Sequence, residues 1–99
     1  MAEIALECRP LEILTDERLA AMAAAGDDRA FAVLYSRYHA PLRAYCSAFL
    51  RGDGDADDVV QTTMARALAG LHTRRDDGSW SAWLYRIARN EACEVLRGR

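Results

Sequence analysis

The chain reads as an all-α domain, a compact bundle of about four helices. Apolar side chains recur every three or four residues in four successive stretches. Most of these stretches open on a capping residue or stop at a breaker, and none shows the alternation or β-branched clustering of a strand. With no internal repeat and no low-complexity segment, helix packed on helix is the architecture left.

Residues 1–14, MAEIALECRPLEIL, carry apolar residues without a sustained period and are interrupted by Pro10. A flexible or loosely docked N-terminal extension is expected there, and the helical domain over 15–99. The first helix has Thr15 as N-cap, Asp16 and Glu17 in a first turn where acids suit the helix dipole, and Gly26 as its stop. Its buried stripe is Leu19, Met22 and Ala23. Asp27 or Asp28 caps the second helix, with an apolar face of Phe31, Leu34, Tyr35 and Tyr38. Pro41 interrupts that face, yet the pattern resumes as Leu42, Tyr45, Cys46, Phe49 and Leu50, so the spacing allows one kinked helix or two nearly collinear ones.

Arg51 to Gly54 forms a turn. Its Arg-Gly-Asp run does not read as an adhesion signal, because nothing else points outside the cell. Asp55 opens the third helix, with Asp58 where a capping box usually has glutamate. Val60, Met64, Ala67, Leu68 and Leu71 form its buried stripe, leaving Asp57, Asp58, Gln61, Thr62, Ala65 and Arg66 outward. A polar loop, His72 to Gly78, leads into the last helix.

That helix, within Ser79 to Arg99, has a broad apolar stripe of Trp80, Trp83, Leu84, Ile87, Ala88 and Val95. Trp80, Leu84 and Ile87 are expected to lie against the Phe31–Phe49 segment. Opposite the stripe stand Arg86, Arg89, Asn90 and Arg97, with Arg99 at the end. Periodicity alone describes a solvated arginine face; the guanidinium forks also suit bidentate contacts to phosphates or base edges.

The net charge of −2 argues against a free-standing nucleic-acid binder. Its distribution is more informative. Residues 1–58 hold six arginines against eleven acids, whereas 59–99 hold seven arginines against four acids, and there is no lysine. An acidic first half and a basic second half are compatible with two partners on two faces. No apolar run approaches the roughly 20 residues of a membrane helix, and the N-terminus lacks the form of a secretion signal, so a cytosolic chain without membrane insertion is expected. Cys8, Cys46 and Cys93 have no paired spacing that signals a disulfide frame or zinc site, and Cys46 and Cys93 are expected to be buried as small hydrophobes.

An enzyme reading finds no constellation to support it. His39 and His72 have no second ligand at metal spacing, there is no Glu-x-x-His pair, and no glycine-rich loop follows a strand. Asp57/Asp58 and Asp76/Asp77 sit at a helix start and in a loop, where capping and solubility explain them. We expect no catalytic residue, no metal and no cofactor.

Three stretches, AGDDRAFAVLYSRYHAPLRAYCSAFLRG, DADDVVQTTMARALAGL and WSAWLYRIARNEACEVLR, together resemble region two of bacterial sigma factors, particularly the small extracytoplasmic-function group. The resemblance implies a helical domain that binds the RNA polymerase core at the β′ clamp helices and recognises and melts the promoter −10 element on its non-template strand. It assigns Asp57, Asp58, Gln61, Thr62 and Arg66 to polymerase contact. It assigns Arg74, Arg75, Asp76, Asp77, Gly78 and Ser79 in the loop, then Trp83, Arg86, Arg89, Asn90 and Arg97, to DNA. Thr62 stands where a glutamate is usual, which bears on the polymerase contact, and Leu68 stands where an aromatic is usual. The resemblance also implies a linker and a second, −35-reading domain, which does not lie within these 99 residues. An anti-sigma factor is a further implied partner. The rival reading is a helical interaction module that engages an anti-sigma partner without DNA recognition; the Arg86/Arg89/Asn90 face separates the two, since such a module has no need of it.

Overall fold

A short 3-10 turn, Leu11–Ile13, is followed by four helices: α1 (Asp16–Ala24), α2 (Asp28–Leu50), α3 (Asp53–Gly70) and α4 (Trp80–Arg97). The computed structural model describes residues 11–51, 53–73 and 79–98. No strand occurs among them. α2 is the central element and contacts α1, α3, α4 and the 3-10 turn.

The helix starts are local devices. Thr15 Oγ1 accepts from the Arg18 amide at 3.1 Å, Asp27 Oδ1 from the amides of Arg29 and Ala30 at 3.0 and 3.3 Å, and Ser79 Oγ from the Ala82 amide at 3.1 Å. Each satisfies donors that the first helical turn leaves unpaired. After α1 the chain reverses through Gly26 at φ 106°, a backbone conformation open to glycine. α2 ends with a left-handed residue too, but it is Arg51 (φ 56°) that takes it, its amide donating to Ser47 O at 2.8 Å.

Pro41 does not divide α2: one helix of 23 residues runs through it. Its ring is on the exposed side, where the carbonyl left without a helical donor can meet water. α3 begins at Asp53, two residues before the expected Asp55. Asp55 falls in its first turn, where an acid suits the helix dipole.

The core is built from Leu19 and Ala23 of α1, Ala30, Leu34, Leu42, Cys46 and Leu50 of α2, Ala56, Val59, Val60, Met64 and Ala67 of α3, and Trp80, Leu84, Ala88 and Ala92 of α4. Many contact positions are alanine, so the helix axes can approach closely while larger side chains fill the gaps between them. Two residues expected inside are not. Leu68 is 43 % exposed and Phe49 36 % exposed. The buried arc of α3 is centred on Val60, Thr63 and Ala67, which turns Leu68 onto a groove shared with Phe31 and Tyr35 of α2. Thr63 is fully buried, and its hydroxyl has no partner among the described residues. Cys46 is buried as expected, and burial pushes its thiol pKa up; Cys93 is only half-buried.

Trp80 and Leu84 are fully buried, and Ile87 is half-buried against the same core. Tyr38 of α2 meets the Trp80 ring at 5.5 Å, and Tyr45 meets Tyr85 edge-on at 5.1 Å. The expected seam between α4 and the second helix is therefore present, and aromatic side chains line it.

Of the expected extension over 1–14, residues 11–14 are docked, and residues 1–10 lie outside the described residues. Leu11 and Leu14 rest on the core, and Arg37 of α2 donates to the carbonyl oxygens of Glu12 and Leu14, both at 2.6 Å. The same guanidinium donates to Asp16 Oδ1 at 2.8 Å, and the Tyr38 hydroxyl donates to Asp16 Oδ2. Burial, and then the bond to Asp16 and its charge, push the Tyr38 phenol up to about 12, so it stays a protonated donor across the neutral range.

Candidate nucleic-acid and protein interface

Two surfaces gather the residues singled out in the sequence. The first is the outer side of α3, where Asp57, Asp58, Gln61, Thr62, Ala65 and Arg66 are all exposed. Their partners divide them. Asp57 turns toward α2 and accepts from Arg43 Nε at 2.6 Å, and Gln61 donates to the Tyr35 hydroxyl at 2.7 Å. Arg66 turns the other way, its Nε 2.6 Å from Glu91 of α4. Asp58 and Thr62 are left between these two flanks, facing outward. The Arg43–Asp57 pair is well exposed, so its main effect is to orient the carboxylate rather than to stabilise the fold.

The second surface runs from the end of α3 to the polar side of α4. Arg74, Arg75, Asp76, Asp77 and Gly78 lie outside the described residues. The ends of the loop that holds them are described. At the start, the hydroxyl and amide of Thr73 both donate to Gly70 O, at 3.2 and 3.1 Å. At the finish, Ser79 is exposed and caps α4. Trp83 is half-buried and its indole lies against Gly70: a Cβ there would come within 3.2 Å of the ring. Glycine at 70 thus lets the ring settle on the last turn of α3, and it ties the two ends of the loop together.

Arg86, Arg89, Asn90 and Arg97 are exposed along one side of α4. At 1.5 Å of rise per residue they span roughly 16 Å. Arg97 has Glu94 at 3.6 Å, whereas neither Arg86 nor Arg89 is ion-paired with a described residue. Their donors point to solvent, and such a row suits a chain of phosphates.

Those of the sequence-predicted residues that are described thus form two groups on neighbouring faces of α3 and α4. Glu17 was not among them: its carboxylate accepts from the Trp80 amide at 2.5 Å, across 63 residues of sequence. The local signal, an acid in the first turn of α1, pointed to the helix dipole and gave no indication of this contact. No group of three or more His, Cys, Asp or Glu side chains among the described residues is placed to hold a metal, and none of the described helices is long and apolar enough to cross a membrane.

Sigma-70 region 2 is the family whose sequence pattern matches residues 34–99, two thirds of the chain. This chain belongs to the sigma-70 region 2 family. Within that family its likeness is to the ECF group. It is 38% identical over 85 residues to the ECF RNA polymerase sigma-E factor of Salmonella typhimurium, covering 86% of this chain and 44% of that protein. The chain therefore spans somewhat less than half the length of that relative. An engineered region 2 of sigmaE, solved by NMR in complex with GTAAAA, matches with a TM-score of 0.79 and 35% identity over 86% of this chain and 88% of the other. CnrH, a sigma factor of Cupriavidus metallidurans solved with the cytosolic domain of CnrY, matches with a TM-score of 0.77 and 38% identity, covering 85% and 55%. The described residues form helices joined by turns, and their fold matches both of these structures.

Proposed function

We propose that this domain serves transcription initiation in the cytoplasm, without catalysis or a cofactor. It binds the RNA polymerase core at the β′ clamp helices and recognises and melts the promoter −10 element by capturing the non-template strand. The outer face of α3 (Asp57, Asp58, Gln61, Thr62, Arg66) takes the polymerase. The loop Arg74–Ser79, together with Trp83, Arg86, Arg89, Asn90 and Arg97, takes the DNA. The observation that carries the reading is that Arg86 and Arg89 stand exposed and free of ion pairs with described residues on the helix that leads out of the loop. Likeness to a region 2 solved with GTAAAA supports it.

The chemistry is that of single-strand capture. A short polar loop can surround one extruded base and bond to its edge, while guanidinium groups behind it follow the backbone. Unstacking costs a few kcal/mol per base, and capture of the extruded base offsets it. With a net charge of −2 the domain depends on the polymerase to bring it to the promoter.

Fluorescence anisotropy with single-stranded GTAAAA, a scrambled hexamer and a duplex tests the reading. The single strand of that sequence is expected to bind best. With about two to four phosphate contacts, log affinity should fall with log salt at a slope of about −0.7 per contact. Arg86→Ala and Arg89→Ala should weaken binding alike for every sequence, whereas substitutions at Asp76, Asp77 or Ser79 should change the preferred base. Equal binding to all three probes sinks the base-capture reading.

For the polymerase face Asp58 is the informative position, because Asp57 is engaged with Arg43. Asp58→Arg is expected to reduce capture of core RNA polymerase on a domain-loaded resin while leaving the thermal midpoint within a degree or two. Unchanged capture moves the contact off this part of α3.

A second reading is favoured by CnrH, solved with the cytosolic domain of CnrY: the domain also engages an anti-sigma protein. Loss of DNA binding in the Arg86→Ala/Arg89→Ala pair with anti-sigma binding intact would separate the two activities.

A further inference from the structure

Arg66 belongs to the outer face of α3 by position, but its side chain reaches toward α4. Its Nε stands 2.6 Å from Glu91 Oε2, and the arginine side chain is 63 % exposed where that of Glu91 is 17 % exposed. The pair is therefore lopsided: the carboxylate is largely covered, and most of the guanidinium is left to water. Its neighbours one turn away on α3, Thr62, Thr63, Ala69 and Gly70, include no acid, so its own helix offers it no other charged partner.

Glu91 holds this guanidinium at the edge of the α4 arginine face. Trp83 and Glu91, about two turns apart, both meet α3, the first at Gly70 and the second at Arg66. Arg86 and Asn90 lie between them along α4 and are exposed. Arg66 thus stands beside the row of side chains that Arg86 and Asn90 begin, on the side nearer α3. Left alone, Glu91 would set a negative charge next to any phosphate chain on that row. Arg66 neutralises it and adds donors of its own. A guanidinium already held at Nε also loses less rotamer freedom when the rest of its fork meets an oxyanion.

We infer that Arg66 is a phosphate contact of the DNA face: resting on Glu91, its guanidinium takes the single-strand backbone next to Arg86. The assignment rests on the reading of α4 as a DNA face, and it adds a second role to a residue already counted with the polymerase face.

The test uses the whole 99-residue chain and anisotropy with single-stranded GTAAAA and its scramble over a range of salt. Arg66→Ala should weaken both strands several-fold and alike, because a phosphate contact reads no base. The slope of log affinity against log salt should become shallower by about 0.7, the share of one contact. Glu91→Ala is the decisive comparison. It breaks the same ion pair but keeps the guanidinium, so it should bind both strands more tightly than Arg66→Ala does. A bridge that merely staples α3 to α4 would cost the two variants the same affinity and leave the salt slope unchanged. Arg66→Gln, which keeps most of the aliphatic stem, replaces Arg66→Ala if that variant does not fold. Wild-type protein that binds neither strand, or Arg86→Ala that binds as well as the wild type, overturns the DNA face and this assignment with it. Where both of those behave as expected, equal losses in Arg66→Ala and Glu91→Ala, or an unchanged salt slope in Arg66→Ala, overturn the assignment alone.

Discussion

Trp80→Ala should lower the unfolding free energy by about 3–5 kcal/mol, a large part of the roughly 5–15 kcal/mol that a domain of this kind has in total. Trp80 is fully buried, contacts Tyr38 of α2 and Trp83 of its own helix, and lies where α1, α2 and α4 meet. Truncation leaves a cavity that three rigid helices cannot close. Its indole nitrogen is buried without a partner among the described residues. Trp80→Phe removes that unsatisfied donor while keeping most of the ring volume, and should cost clearly less than Trp80→Ala. Urea denaturation followed by circular dichroism measures both. A midpoint that barely moves in Trp80→Ala means that the side chain is not core.

Arg37→Ala is expected to cost about 2–3 kcal/mol, more than an exposed ion pair is worth. Its guanidinium makes three hydrogen bonds at once, to Asp16 and to the carbonyls of Glu12 and Leu14. Both ionised side chains are mostly shielded, at 28 and 27 % exposed. Removal strands a partly desolvated carboxylate and frees the 3-10 turn. Arg37→Lys keeps the charge but not the planar fork, so it should recover less than half of the loss. A double-mutant cycle with Asp16→Asn should show a coupling of about 1 kcal/mol or more. Limited proteolysis should begin near residues 11–14 in Arg37→Ala and not in the wild type. A cost below about 0.5 kcal/mol would mean that this network is a surface decoration.

The starts of α1, α2 and α4, the outward polar face of α3 and the arginine face of α4 were legible in the order of residues. Thr15 and Ser79 cap amides three residues away, and a helical face repeats every three or four residues, so the information is local. The two residues misplaced inside, Leu68 and Phe49, sit at the edge of a stripe. Whether an edge position is covered depends on how far the neighbouring helix reaches, which no single helix encodes.

The acids of the first turn of α1 mark the boundary most sharply. Their type and place predict a favourable interaction with their own helix dipole, and that holds wherever the helix is put. Their partners, Arg37 and Tyr38 at 21 and 22 residues away and the Trp80 amide 63 residues away, are chosen only when the helices assemble. The same is true of Asp57 with Arg43 and Arg66 with Glu91. Composition and period determine that four amphipathic helices form and which face of each is apolar. Which exposed charges meet one another, and therefore which stay free for a partner, follows from helix directions that are set by burying the apolar faces together, because burial is strong and non-directional whereas ion pairs are weak and need their geometry supplied.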